Sequence, residues 1–262
     1  MTASSEASKK GPPPYGPDEM MIIAAARALK GRRTCFVGIG LPSTAANLAR
    51  ATHTPDLVLV YESGTIGAKP TRLPLSIGDG ELAETADSVV SVPEIFNYWL
   101  QGGRIQVGFL GAAQMDRFAN LNSTVIGDYD SPSVRLPGAG GAPEIAGSCD
   151  EVIVMIRQNP RTFVERLDFR TSVGFGDGRA DRKALGLRGA GPTLVITDLG
   201  LLEPDERTGE LVMTSLHTGV KMADAIRAVP WQLKVAAMVS VTEPPTAQEM
   251  AKLAELMEAS GG

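Results

Sequence analysis

The sequence predicts an α/β fold: an open, mainly parallel sheet with helices on both faces. Two observations lead there. Through the first two thirds of the chain, short apolar runs of strand length alternate with segments of helical character, the order that βαβ units impose. The last third changes character, with strand-like runs joined by a polar turn, so some antiparallel structure is expected there.

Residues 1–16 are rich in Ser, Lys, Gly and Pro and are expected to form a disordered tail, leaving residues 17–262 as one domain. From Asp18, an expected N-cap, "DEMMIIAAARALKG" reads as a helix closed by Gly31. "TCFVGIG" is a short buried strand and "PSTAANLARAT" the helix after it. "LVLVYE" is the next strand, and "VPEIFNYWLQGG" is helical, with Pro93 near its start and Gly102 and Gly103 past its end. "RIQVGFLG" and "EVIVMIR" are strands separated by a glycine-rich break. "TLVITDLGLLEPDERTGELVMTSL" reads as two strands about a Thr-Gly turn. In the final helix, "TAQEMAKLAELMEA", Thr246 and Glu249 fit a capping box, and Met250, Leu253, Ala254 and Met257 share a face.

Composition narrows the function. The 262 residues are 43% hydrophobic with a net charge of -5, an ordinary globular balance without the basic stripe of a nucleic-acid binder. Cys35 and Cys149 stand apart, so neither a disulfide framework nor a CxxC pair is present. The N-terminus lacks a secretory h-region, and no apolar run approaches the roughly 20 residues of a membrane span, so a cytoplasmic protein is expected. His53 and His217 have no ligand-spaced partners, so no metal site is expected.

Three stretches carry possible chemistry. "GIGLPS" after a strand is either a tight strand-to-helix turn or an incomplete phosphate loop. "PGAGGAPEIAG" leaves backbone amides unscreened ahead of a helix, the recipe for an oxyanion site, or is simply a flexible loop. Glu62 ends an apolar strand at a glycine turn, as either a solvated strand end or a placed reagent. Lys69 and Arg72 downstream either hold an anionic substrate or are solvated surface cations, the commoner case.

Taken in order, "GIGLP" (Gly38–Pro42), "ESG" (Glu62–Gly64), "GAAQMD" with "NLNST", "GAGGA" (Gly138–Ala142) and "GPTLVITDLG" (Gly191–Gly200) resemble the β subunit of the class I coenzyme A transferases, the glutaconate CoA-transferase branch above all. The resemblance covers about residues 18–215. It implies the open α/β fold of that family and an active site shared with an α subunit in a heterodimer or heterotetramer. Glu62 matches the family's catalytic glutamate, and Gly140 and Gly141 match the amides that stabilise the oxyanion. Gly38, Gly40, Gly138, Ala139, Ala142 and Gln114 are the positions expected against a coenzyme A thioester, which is a substrate rather than a tightly bound cofactor.

The implied reaction exchanges CoA between an acyl-CoA and a carboxylic acid through a glutamyl-CoA thioester, with no metal. Two alternatives stand beside it: a steroid ring-cleaving acyl-CoA hydrolase of the same fold, and a catalytically silent subunit that binds CoA or supports its partner. The segment after Glu62, "TIGAKPTRLPLSIGDGELAE", is expected to line the acyl pocket. Glu62 and Gly140 are expected on one side of the sheet, both at carboxyl ends of strands, and an apolar surface patch is expected where the partner docks.

Overall fold

The computed structural model of the protein describes residues 14–259. Helix α1 (Pro17–Ala28) leads into β1 (Thr34–Phe36), and α2 (Leu41–Ala51) into β2 (Val58–Val60). Two short strands, β3 (Thr65–Ile66) and β4 (Ser88–Val89), flank α3 (Gly80–Glu84). The single turn α4 (Val92–Glu94) runs directly into a wider π-helical turn, Ile95–Leu100, before β5 (Val107–Leu110). Two side hairpins follow, β6 (Gln114–Met115) with β7 (Leu121–Asn122), and β8 (Val125–Gly127) with β9 (Pro132–Arg135). Next come α5 (Ala142–Ser148), β10 (Glu151–Met155), α6 (Arg179–Ala184) and β11 (Pro192–Ile196). The last elements are β12 (Gly200–Pro204), β13 (Leu211–Leu216), α7 (Met222–Arg227), β14 (Lys234–Val241) and α8 (Ala247–Glu258).

Ten of these strands make one sheet, in the order β14-β13-β12-β11-β10-β5-β1-β2-β3-β4. Its centre, β11-β10-β5-β1-β2, is parallel throughout. The flanks turn antiparallel at β2–β3–β4 and β11–β12–β13. Period-two alternation sends Cys35, Leu59, Phe109 and Ile153 to a core beneath α1, α2 and α8, and Phe36, Val60, Leu110 and Val152 to a second core that includes Ile145 of α5 and Ala225 of α7. Both faces of the central strands are therefore apolar, which is why their sequences read as near-continuous hydrophobic runs.

Several expectations need correction. Of the N-terminal tail, residues 1–13 lie outside the described residues; Tyr15 packs on the first core and Gly16, not Asp18, is the N-cap of α1. The Glu19 carboxylate reaches back to the Gly16 amide at 2.8 Å, satisfying a donor at the helix start. The stretch "TLVITDLGLLEPDERTGELVMTSL" spans three strands where two are expected, because Asp198-Leu199 turns the chain between β11 and β12 before the Thr-Gly turn is reached. Strand β14 was missed: most of its residues are exposed, so "KVAAMVSV" carries no in–out alternation. On α8 the capping box holds, with the Thr246 hydroxyl accepting from the Glu249 amide at 3.2 Å. The packed face, however, is Met250, Leu253 and Leu256; Met257 is exposed. No helix among the described residues is long and apolar enough to cross a membrane.

Candidate active site

A cavity of about 440 Å³ opens where the parallel strands end. Its floor is built by residues just past β1, β2 and β5, the carboxyl ends where open α/β sheets seat ligands. Gly38, Glu62 and the whole run 138–142 line it, with Phe36, Phe109 and Met155 supplying apolar walls. Among the described residues that line it, Glu62 is the one ionisable side chain.

Glu62 owes its place to a tight turn. The Gly64 amide donates to the Tyr61 carbonyl at 3.0 Å, and the Tyr61 amide to the Thr65 carbonyl at 3.0 Å. Tyr61 is fully buried and anchors the turn from below. Gly64 takes φ 108° and packs closely on Val90, just past β4, whose amide donates to the Gly64 carbonyl at 2.9 Å; a Cβ here would fall 2.0 Å from the Val90 carbonyl oxygen. Among the described residues Glu62 itself has no hydrogen bond or ion pair, and its side chain is half-buried.

The glycine loop arrives from the other side. The Gly138 amide donates to the Ser123 carbonyl at 2.9 Å while the Ser123 hydroxyl donates to the Gly138 carbonyl at 2.9 Å, gripping the loop where it leaves β9. Beyond that grip the amides of Ala139, Gly140 and Gly141 donate to no group among the described residues, whereas the Ala142 amide is spent on the Ala139 carbonyl at 3.0 Å. Gly141 comes so close to Glu62 that a Cβ on it would lie 3.2 Å from the Glu62 Oε2 atom. Unspent donors, which a tetrahedral oxyanion requires, thus stand beside one unpaired carboxylate.

Glu62 and the glycine loop converge, as expected, with one difference: the loop leaves the β8–β9 side hairpin, not a strand of the main sheet. Gly40 is the N-cap of α2 and lies outside the lining, between the lining residues Ile39 and Leu41. Gln114 lies away from the cavity. It is buried, accepts from the Asn122 side-chain amide at 2.7 Å and donates to Asp168 at 2.8 Å, so both ends of its side chain are occupied. Asn122 in turn donates to the Val125 carbonyl at 2.6 Å and is continuous in sequence with Ser123, so this polar cluster supports the loop rather than a ligand. Gln114→Ala is therefore expected to leave the KM for acyl-CoA within about twofold and to cost about 1–3 kcal/mol of stability, read from denaturant unfolding. A large rise in KM with stability intact would return Gln114 to the binding site.

Lys69 and Arg72 also need correction. Lys69 pairs with Asp87, and Arg72 with Asp79 at 2.8 Å and Glu81 at 3.0 Å, so both cations already have partners. Of the segment after Glu62 that was expected to line the acyl pocket, only Ile77 does so. Sequence reasoning also missed Phe96, carried on the π-helical turn against Gly141. Leu75, 78% exposed, and Tyr98, 63% exposed, are bare apolar surface on the segments that bring Ile77 and Phe96 to the site.

The sequence pattern of the family described as coenzyme A transferase matches residues 18–228. The chain belongs to the coenzyme A transferase family. It is 62% identical over 242 residues to the B subunit of the 3-oxoadipate CoA-transferase of Pseudomonas knackmussii, covering 92% of this chain and 93% of that one. It is 33% identical over 240 residues to the B subunit of the glutaconate CoA-transferase of Acidaminococcus fermentans, covering 89% of each. The crystal structure of the glutaconate enzyme superposes with a TM-score of 0.85 at 31% identity, covering 91% of this chain and 93% of that one. A cholesterol ring-cleaving hydrolase subunit of Mycobacterium tuberculosis is 24% identical, over 88% of this chain and 90% of that one. The protein is thus a CoA-transferase β subunit, one half of a two-subunit enzyme.

Proposed function

We propose that this chain, with its α subunit, transfers CoA to 3-oxoadipate or a dicarboxylic acid of similar length, and that Glu62 carries the CoA between the two acids. The observation that carries this reading is the unpaired Glu62 carboxylate beside the unspent 140–141 amides in an apolar cavity. The acid comes from the relative at 62% identity, named for 3-oxoadipate.

The chemistry runs in balanced steps. A Glu62 oxygen attacks the thioester carbonyl carbon, and the oxyanion of the adduct takes hydrogen bonds from the amides of Gly140 and Gly141. CoA thiolate leaves, giving an acyl–glutamyl anhydride. The thiolate then attacks the Glu62 carbonyl carbon, the donor carboxylate departs, and CoA remains on Glu62 as a thioester. An acceptor carboxylate reverses the two steps. An ionised glutamate is a weak nucleophile, so placement supplies most of the activation, and apolar walls such as Phe36, Phe109 and Met155 keep water from the anhydride.

Apolar surface at Leu75 and Tyr98, on the segments that supply Ile77 and Phe96, supports a partner that docks over the cavity mouth. The silent-subunit reading would need Glu62 held in a structural ion pair, and it has none among the described residues. The hydrolase reading rests on a relative of 24% identity, against 62% for the transferase. The test is an exchange assay of the two-subunit enzyme with 3-oxoadipate, glutaconate and monocarboxylic acids as acceptors. We expect 3-oxoadipate to be used with the highest kcat/KM, by at least about tenfold over a monocarboxylate, the lower end of what one hydrogen bond to a charged group contributes. Thioester hydrolysis without exchange for every acid would overturn the transferase reading.

A further inference from the structure

Phe96 has no part in the reaction above, yet its ring packs against Gly141 of the glycine loop. A Cβ on Gly141 would lie 2.8 Å from the Phe96 Cζ and 3.0 Å from its Cε1, as well as 3.2 Å from the Glu62 carboxylate. Three elements therefore meet there: the ring edge, the loop backbone and the carboxylate. The ring also packs on Phe36, which lines the cavity, with ring centroids 6.3 Å apart and planes tilted by 56°.

What holds Phe96 there is the π-helical turn. The Gln101 amide donates to the Phe96 carbonyl at 2.9 Å, five residues back, and the Arg104 amide to the Trp99 carbonyl at 2.9 Å. At the head of the turn, Ser91 and Glu94 form a capping box, with the Ser91 amide donating to Glu94 at 2.9 Å. At its foot, the Gln101 side-chain amide donates to Glu144 of α5 at 3.1 Å. Ile95 and Leu100 are fully buried and fix both ends of the turn. The turn thus contacts the loop through Phe96 to Gly141 and the helix that follows the loop through Gln101 to Glu144. Single-turn π insertions inside helices recur at functional sites because they re-aim one side chain, and here that side chain is Phe96.

We infer that Phe96 is the positioning residue of the oxyanion loop. Its ring edge sets how near the Gly140 and Gly141 amides come to the Glu62 carboxylate, and only glycine at 141 fits between ring and carboxylate. The inference rests on the proposed role of Glu62, and the experiment separates the two.

The test is a double-mutant cycle on the two-subunit enzyme with Gly141→Ala, Phe96→Leu and the pair, alongside borohydride trapping of the Glu62 thioester. Gly141→Ala is expected to lower kcat about 100-fold, the loss typical of one displaced oxyanion donor. Phe96→Leu should lower kcat about tenfold, with KM for acyl-CoA within twofold, because loop placement is lost while the binding walls remain. In the Phe96→Leu background the methyl added at position 141 has room, so Gly141→Ala should cost about tenfold or less there, a clear departure from additivity. Melting temperature is followed in each variant, and a Phe96→Met variant, which matches Leu in volume but reaches further toward Gly141, should recover most of the Phe96→Leu loss. Additive effects on kcat, or a Phe96→Leu enzyme with wild-type kcat and only a lower Tm, would overturn the inference. Absence of a trapped adduct in the wild type would instead count against the role of Glu62.

Discussion

Replacing Glu62 by Gln is expected to reduce CoA exchange by about 10⁴-fold or more, the scale of losses seen when a covalent nucleophile is removed. The amide keeps the size and the turn but cannot form the anhydride, so acyl-CoA binding should survive. The Glu62 side chain makes no hydrogen bond or ion pair among the described residues, and the substitution therefore leaves the fold undisturbed. The measurement is intact mass after incubating the two-subunit enzyme with acyl-CoA and borohydride. The wild-type chain should carry a stable reduction product at Glu62, and Glu62→Gln should carry none. Product acid containing oxygen from labelled water, with no protein adduct, would favour hydrolysis.

Gly64→Ala is expected to destabilise the chain by about 3 kcal/mol or more, combining positive-φ strain with overpacking. The new methyl would fall 2.0 Å from the Val90 carbonyl oxygen, a backbone atom that cannot rotate away. Gly31 provides the control, since it has φ 77° but nothing within 4 Å of where an added methyl would sit. Gly31→Ala should cost only the left-handed strain, about 1–2 kcal/mol. Denaturant unfolding of both variants separates the two contributions, and equal losses would show that the Val90 contact gives way. Because the same turn aims Glu62, Gly64→Ala enzyme that does fold should also lose exchange activity.

The parallel centre of the sheet was legible because burial on both faces writes itself into unbroken runs such as "LVLVYE" and "EVIVMIR". β14 was not, because exposed residues at a sheet edge obey no pattern. At the candidate site, Glu62 and the glycine loop could be singled out from local chemistry: a carboxylate at a strand end, and amides without side chains to cover them. Gln114 lies outside the cavity, and polarity within a motif does not distinguish a side chain that faces a ligand from one that faces a buried asparagine. Lys69 and Arg72 were misread for a similar reason, since their partners Asp87, Asp79 and Glu81 lie up to 18 residues away. Phe96 had no signal at all. The π-helical turn that aims it depends on a five-residue hydrogen bond that ordinary helix periodicity does not encode.

A cavity whose lining holds a single charge imposes a sequence of events. A second carboxylate drawn within about 4 Å of a free Glu62 carboxylate meets repulsion on the order of 4 kcal/mol at a protein-surface dielectric, and among the described lining residues of this chain no cation offsets it. A thioester carbonyl, being neutral, enters without that opposition. On the proposed role of Glu62, loading with CoA removes the negative charge there, and the same position then suits an incoming acid anion. In that role, the charge state of one side chain acts as an interlock that favours the acceptor after the carrier is loaded.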